Sequence, residues 1–219
     1  MSLVNAGSVK KSIGDLEIIK GIDLKLEQNE TMAITGRSGS GKSTLLYLLG
    51  GLDQATEGSI EIDGTNLGGL SDDQLSKFRN DTIGFIFQFH FLLPAMTGLD
   101  NIYLPARIGK KLGPEVEAHV QKLVETLGVS HCLNKYPHEM SGGEQQRINL
   151  IRALSLSPKL LLCDEPTGNL DSKNAMVVIE LLVKLSSENQ SGLIVVTHDQ
   201  SVAAHLQRKI TIDDGKLIG

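Results

Sequence analysis

The chain has no tryptophan, and only 4% of its residues are aromatic. It therefore offers no aromatic platform on which single-stranded bases could stack. It has no excess of basic charge: the formal net charge is −5, which excludes the electropositive footprint of a nucleic-acid binder. The pair Lys10-Lys11 reads as an exposed strand end. There are two cysteines, Cys132 and Cys163, far apart and without the spacing of a metal knuckle, so they read as reduced thiols of a cytoplasmic protein. No apolar run is long enough to cross a bilayer. No basic stretch followed by an apolar one marks a signal peptide, and there is no internal repeat or low-complexity segment. What remains is a chain of 219 residues, long enough for one well-buried α/β domain, with room for a subdomain.

The richest stretch is Gly36-Arg37-Ser38-Gly39-Ser40-Gly41-Lys42-Ser43-Thr44. It fits G-x-x-x-x-G-K-[ST], the phosphate-binding loop. The apolar run Thr31-Met32-Ala33-Ile34-Thr35 before it reads as a buried strand. Leu45-Leu46-Tyr47-Leu48-Leu49 after it reads as the first turns of a helix. The glycines let the backbone turn its N–H groups around a phosphate, and the helix N-terminus adds partial positive charge. Lys42 would reach the β- and γ-phosphates, and the Ser43 hydroxyl would ligate Mg²⁺.

Elsewhere the pattern predicts alternating layers. Residues 3–35 alternate and carry turn signals at Gly7, Gly14, Gly21 and Gln28-Asn29, which suggests several short antiparallel strands. Further strands are expected at 58–64, Ile83–Phe87, Leu160–Cys163, Leu193–Thr197 and Lys209–Ile212. Asp72–Arg79 reads as a polar helix with Ser71 as its N-cap. From Phe89 to Met140, Pro94, Pro105 and Pro114 suggest short, broken helices. Val116, Val120, Leu123, Val124 and Leu127 share one helix face, ended by Gly128.

Two more stretches carry chemistry. Leu160-Leu161-Leu162-Cys163-Asp164-Glu165 is an apolar strand ending in two carboxylates. Asp164 suits the acidic partner that a phosphate loop needs for Mg²⁺, and Glu165, one step on, points elsewhere, toward an attacking water. The other stretch, Ser141-Gly142-Gly143-Glu144-Gln145-Gln146-Arg147, is a second helix start suited to an anion. One small domain needs only one such end, unless the second serves another molecule's nucleotide.

Together these residues resemble the nucleotide-binding domain of an ABC transporter, over essentially the whole chain. The resemblance makes 36–44 the Walker A loop, Gln88 the Q-loop glutamine, Met140–Glu144 the signature, and Asp164 the end of Walker B. It makes Glu165 the catalytic glutamate, Asn169-Leu170-Asp171 the D-loop, and His198, after the strand Ile194–Thr197, the switch histidine. The phrases Gly84–His90, Ser141–Arg147 and Asp164–Asp171 are similar to the MacB/LolD group, which serves lipoprotein release, macrolide and haem efflux, and YbbA-like relatives.

The resemblance implies an α/β phosphate-loop NTPase fold, a single ABC ATPase domain over 1–219. Residues 1–88 and 157–219 would form a RecA-like core with an N-terminal antiparallel β subdomain, and 89–156 a helical subdomain carrying the signature. It implies ATP and Mg²⁺ as ligands, with Ser43, Gln88 and Asp164 around the metal and Lys42, Glu165 and His198 in catalysis. It implies a head-to-tail homodimer in which Ser141, Gly142, Gly143 and Glu144 meet the partner's ATP. It also implies a separate membrane permease on whose cytoplasmic face the ATPase sits, docked through Phe89, His90, Phe91 and Leu92. His119, His131, His138 and His205 are left as surface or packing residues. Soluble DNA-repair ATPases of the superfamily are the competing class, but they carry long coiled coils or zinc modules between the Walker A loop and the signature. Translation factors hold two such domains, and plain phosphate-loop kinases or GTPases have no use for 141–147. One departure stands out: Ser12 lies where the family usually stacks an aromatic on adenine.

Overall fold

The computed structural model describes residues 2–87, 91–168, 170 and 172–218. Ten strands fall into two sheets. β1 (Ser2–Ile13), β2 (Leu16–Glu27), β4 (Glu57–Ile62) and β5 (Thr65–Asn66) form an antiparallel sheet in the order β2-β1-β4-β5. β3 (Thr31–Thr35), β6 (Ile83–Phe87), β7 (Leu160–Asp164), β8 (Gly192–Val196), β9 (Arg208–Asp213) and β10 (Lys216–Ile218) form the other, in the order β10-β9-β3-β8-β7-β6. Its strands are parallel except for the edge strand β10, which returns antiparallel to β9.

Seven α-helices are described: α1 (Lys42–Leu49), α2 (Asp72–Thr82), α3 (Gly98–Ile108), α4 (Pro114–Leu127), α5 (Gly142–Leu154), α6 (Ser172–Glu188) and α7 (Gln200–Ala203). The central strands are apolar along their whole length because both faces are covered. Side chains alternate across a strand. Met32, Ile34, Leu160, Leu162, Ile194 and Val196 therefore pack with α1 and the antiparallel sheet. Ala33, Leu161, Cys163, Leu193 and Val195 pack on the other side with α4, α5 and α6. Helix α1 is thus held between the two sheets, through buried Leu45, Leu46, Leu48 and Leu49.

The structure revises two expectations. The segment before β3 is one long hairpin of two 12-residue strands rather than several short ones. The hairpin turns at Gly14-Asp15 and the chain turns again at Gln28-Asn29 before β3, while Gly7 and Gly21 lie inside continuous strands and the irregularity near Gly7 is a register shift. Pro105 does not end a helix; it sits inside α3 near its C-terminal end, where the lost N–H bond and ring clash disturb only the turn before it. The local signals were otherwise sound. Ser71 caps α2 in a reciprocal capping box with Gln74, and Gly128 takes the left-handed conformation that closes α4 (φ 65°).

Candidate nucleotide site

The topology places three loops at one edge of the parallel sheet. β3, β8 and β7 are adjacent, with Ile34 paired to Val196 and Val196 to Asp164. The phosphate loop after β3, Asp164-Glu165 after β7 and His198 after β8 therefore meet at the carboxyl ends of the strands, where open α/β sheets bind ligands. They enclose a cleft of about 590 Å³, lined by Ile18, the loop residues, Glu165 and His198.

The loop is built for an anion. Gly36 has φ 151°, and a Cβ there would lie 2.1 Å from the Ile212 carbonyl oxygen, so only glycine fits. α1 starts behind Gly41 (φ 102°) with no side-chain cap and no acidic residue in its first turn, which leaves its N–H groups and dipole to a ligand. Lys42 is buried, and its Nζ donates to the carbonyls of Gly36 (3.0 Å) and Arg37 (2.9 Å). The Ser40 hydroxyl is buried with no hydrogen-bond partner among the described residues.

Behind the loop, Asp164 is buried and accepts from the Ser43 hydroxyl through Oδ1 (3.0 Å) and from the Tyr47 hydroxyl through Oδ2 (3.0 Å). Burial, and next the Asp164 charge, push the Tyr47 phenol up. A serine hydroxyl beside a carboxylate is a donor set of hard oxygens, which fits Mg²⁺. Glu165 has φ 47°, in the left-handed region. Its N–H donates to the Val196 carbonyl (2.9 Å), and its own carbonyl accepts from Gly168 N–H (3.1 Å). Its Oε1 lies 2.8 Å from His198 Nδ1, while the buried Oε2 has no hydrogen-bond partner among the described residues.

The second anion-type helix start is also built. Ser141 caps α5, and Glu144 returns the bond: its Oε2 accepts from the Ser141 N–H (2.7 Å) and hydroxyl (2.8 Å). The backbone and hydroxyl of Ser141, then His131 and Cys132, hold the Glu144 carboxyl far below the usual carboxylate range. None of Ser141–Glu144 lines the cleft of its own protomer.

The ABC transporter family profile matches residues 19–168, well over half of the chain. The chain belongs to the ABC transporter family. It is an ATP-binding cassette and an ATPase of that family. Among similar proteins, the lipoprotein-releasing system ATP-binding protein LolD of Cytophaga hutchinsonii is 41% identical over 99% of each chain, and LolD of Aquifex aeolicus is 42% identical over 99% of this chain and 96% of its own. Among solved structures, the dimeric cassette MJ0796 in a post-hydrolysis state with ADP and Pi superposes with TM-score 0.88 at 36% identity, covering 99% and 97% of the two chains. CbiO1 of Clostridium perfringens, part of the transporter complex cbiONQ, superposes with TM-score 0.89 at 26% identity, covering 100% and 87%.

In the cassette, residues 36–44, Asp164, Glu165 and His198 come together, and the signature at 141–144 stands apart. Gln88, Phe89, His90, Asn169 and Asp171 lie outside the described residues. Phe91 is exposed, with φ 45°, and sets its ring edge-on to Phe87. Leu92, expected at a docking face, is partly buried against the core formed with α4 and α5. Two contacts escaped the reading of the sequence. Tyr47 was visible in principle, because it lies four residues after Ser43 on the same face of α1. The pairing of His131 with Glu144 (2.7 Å) joins distant segments, which no local pattern links. Ile18, an aliphatic candidate beside the Ser12 position, does line the cleft. The remaining described histidines behave as expected: His119 bonds the Leu154 carbonyl (3.0 Å) and His138 stacks on Tyr136.

Proposed function

We propose that this cassette binds ATP with Mg²⁺ as a head-to-tail homodimer and hydrolyses it to drive a separate membrane-spanning permease of the MacB/LolD type. The work is extraction or export of a hydrophobic or amphiphilic substrate, with a lipoprotein foremost, since LolD relatives carry that name. The ATPase sits on the cytoplasmic face of the membrane through the permease; among the described residues no helix is long and apolar enough to cross a membrane itself. The observation that carries the reading is the split between the two anion-type ends. The cleft is lined by the loop, Glu165 and His198, with Asp164 bonded to Ser43 behind it, while the Ser141 end is left for a nucleotide elsewhere. A two-fold head-to-tail pair brings each Ser141 end to the partner's cleft.

In the cleft, the loop N–H groups and Lys42 hold the phosphates, which replace the Gly36 and Arg37 carbonyls as Lys42 acceptors. Ser43 and Asp164, with Gln88, hold Mg²⁺, which when bound neutralises charge on the phosphate oxygens. Glu165 takes the proton of the attacking water, and His198, 2.8 Å from it, contacts the γ-phosphate. The chemistry is phosphoryl transfer to water, so the residues mainly position groups and stabilise charge.

A groove of about 490 Å³ opens between α2, β6, α3 and α5, lined among others by Arg79, Phe85, Phe87, Ile108 and Arg152. Phe91 lies at Phe87, and Ile108 is 66% exposed. This apolar wall suits a cytoplasmic helix of the permease. The test is co-purification with the membrane protein encoded beside this gene. Loss of an exposed aromatic anchor costs roughly 2 kcal/mol, so Phe91→Asp is expected to weaken the complex about thirtyfold, with little change in the isolated domain's ATPase. An intact complex in Phe91→Asp and Ile108→Asp would place the permease elsewhere.

Ser12 carries a separate expectation. It pairs with Glu17 across the hairpin and its N–H donates to the Thr56 hydroxyl (3.0 Å). Ile18 lines the cleft and Ser12 does not, and among the described residues no aromatic lines it. Base stacking on an aromatic is worth roughly 1–3 kcal/mol. Ser12→Tyr is therefore expected to tighten ATP binding by about one to two powers of ten, while the parent discriminates poorly between ATP and GTP. Dissociation constants for both nucleotides decide it. Strong adenine preference in the parent and no gain in the variant would show that Ile18 already covers the base.

A further inference from the structure

His131 and Cys132 have no use in the ATP chemistry, yet they form a cluster with Glu144, the capping partner of Ser141. The first two lie on the single turn Ser130–Cys132, and the third in the first turn of α5. His131 Nε2 is 2.7 Å from Glu144 Oε1, and Cys132 Sγ donates to the same oxygen at 3.2 Å. The three ligating atoms all lie within 4.8 Å of one another, and among the described residues no other group of His, Cys, Asp and Glu does so. We propose that this trio is a zinc site joined to the signature motif, and that its loading slows ATP turnover.

The donor set argues for zinc. Imidazole nitrogen, thiolate sulfur and carboxylate oxygen are its usual ligands, and three of them leave a fourth position for water. Bond lengths of ~2.3 Å to sulfur and ~2.0–2.2 Å to nitrogen or oxygen in a tetrahedron put ligand atoms roughly 3.3–3.7 Å apart. The 2.7 Å and 3.2 Å contacts are the proton-held form of the same arrangement and need to open by roughly 0.7 and 0.4 Å, with the third pair already within 4.8 Å. His131 can make that move because its side chain is 57% exposed, while Cys132 is anchored in the core. On binding, the Cys132 thiol loses its proton to solvent. Thiolate and carboxylate together then balance the two charges of the ion. Lys135, 3.8 Å from Glu144 Oε1 and half exposed, gives up its ion pair and turns outward.

Glu144 links the site to turnover. One of its oxygens faces His131 and Cys132, and the other fixes both the N–H and the hydroxyl of Ser141. A metal on the first oxygen moves the carboxylate off its present contacts with His131 and Cys132 and so disturbs the serine that meets the partner's nucleotide. This consequence rests on the proposed role of Ser141; metal binding does not.

The test uses the full chain, reduced and then freed of reductant, in excess Mg²⁺. Titration with Co²⁺ is expected to give thiolate-to-cobalt charge-transfer absorption at one ion per chain, which Zn²⁺ displaces. The band should vanish in Cys132→Ser. In His131→Ala, whose exposed side chain is not needed for folding, Co²⁺ affinity should fall roughly tenfold or more. Zn²⁺ should slow hydrolysis in the parent, a zinc-selective chelator should restore it, and His131→Ala should resist the inhibition. Absence of the band at millimolar Co²⁺, or an undiminished affinity in His131→Ala, would overturn the site. A band with no change in turnover would overturn the coupling to Ser141 and leave the cassette's own mechanism untouched.

Discussion

Glu165→Gln is expected to lower ATP turnover by roughly 10²–10⁴-fold, the usual contribution of a positioned general base, without weakening ATP binding. The structure explains why the effect should fall on turnover alone. Glu165 is held in the left-handed region at φ 47°, a conformation that costs a non-glycine residue about 1–3 kcal/mol. Bonds through Val196 and Gly168 keep the backbone there. The carboxylate is thereby turned into the cleft, one oxygen on His198 and the other buried without a partner among the described residues. A buried, unpartnered carboxylate oxygen beside a phosphate loop is an acceptor waiting for a proton. Glutamine keeps the shape and the backbone but cannot take that proton. ATP should then bind, close the pair and stay. Single-turnover hydrolysis, ATP titration and size exclusion with ATP check the three parts. Hydrolysis at the parental rate would move the base to another residue, and a loss of ATP affinity would mean that Glu165 serves binding instead.

Much of this site was legible because its pieces are local. The phosphate loop, the Ser141-Gly142-Gly143 helix start and the acidic end of the Leu160–Asp164 run each lie within a few residues, and each states its chemistry by type and spacing. What brings them together is not local. Nothing in the order of the chain says that β3 lies between β8 and β9, yet that order sets Lys42, Asp164 and His198 at one edge. The continuous apolar strands showed that both faces were covered without showing by what. The β1–β2 hairpin misled because glycine marks a shift within a strand as readily as a turn, and Gly7 is the former. Pro105 misled because a proline near a helix end disturbs little that follows it. His131 is exposed, as expected of a surface residue, but its partner, Glu144, is thirteen positions away and on another element, so their contact was not legible.

Lys42→Ala should act on the opposite step, and the contrast with Glu165→Gln tests the division of labour in the cleft. Lys42 is only 8% exposed, and its ammonium is held by two carbonyl oxygens of the loop that it follows. Lysine is rarely buried without an anionic partner. Here the chain supplies only neutral acceptors, so a phosphate completes the environment. Hydrogen bonds to a charged group contribute about 1.5–3 kcal/mol, so the alanine variant is expected to bind ATP roughly 10- to 150-fold more weakly. The Gly36 and Arg37 carbonyls also lose their donor, which loosens the loop whose N–H groups must converge on the phosphates. Removing a buried charge relieves its desolvation, so the nucleotide-free domain should stay folded. The thermal stabilisation that ATP gives the parent should shrink at equal ATP concentration, because that gain depends on ligand concentration relative to the dissociation constant. Calorimetric titration with a non-hydrolysable ATP analogue, paired with melting curves with and without it, separates the two effects. Parental affinity in Lys42→Ala would leave the loop N–H groups as the whole phosphate site and make the lysine a structural tie between Gly36 and Arg37. Lost affinity with a parental melting temperature is the result that the buried, carbonyl-held ammonium predicts.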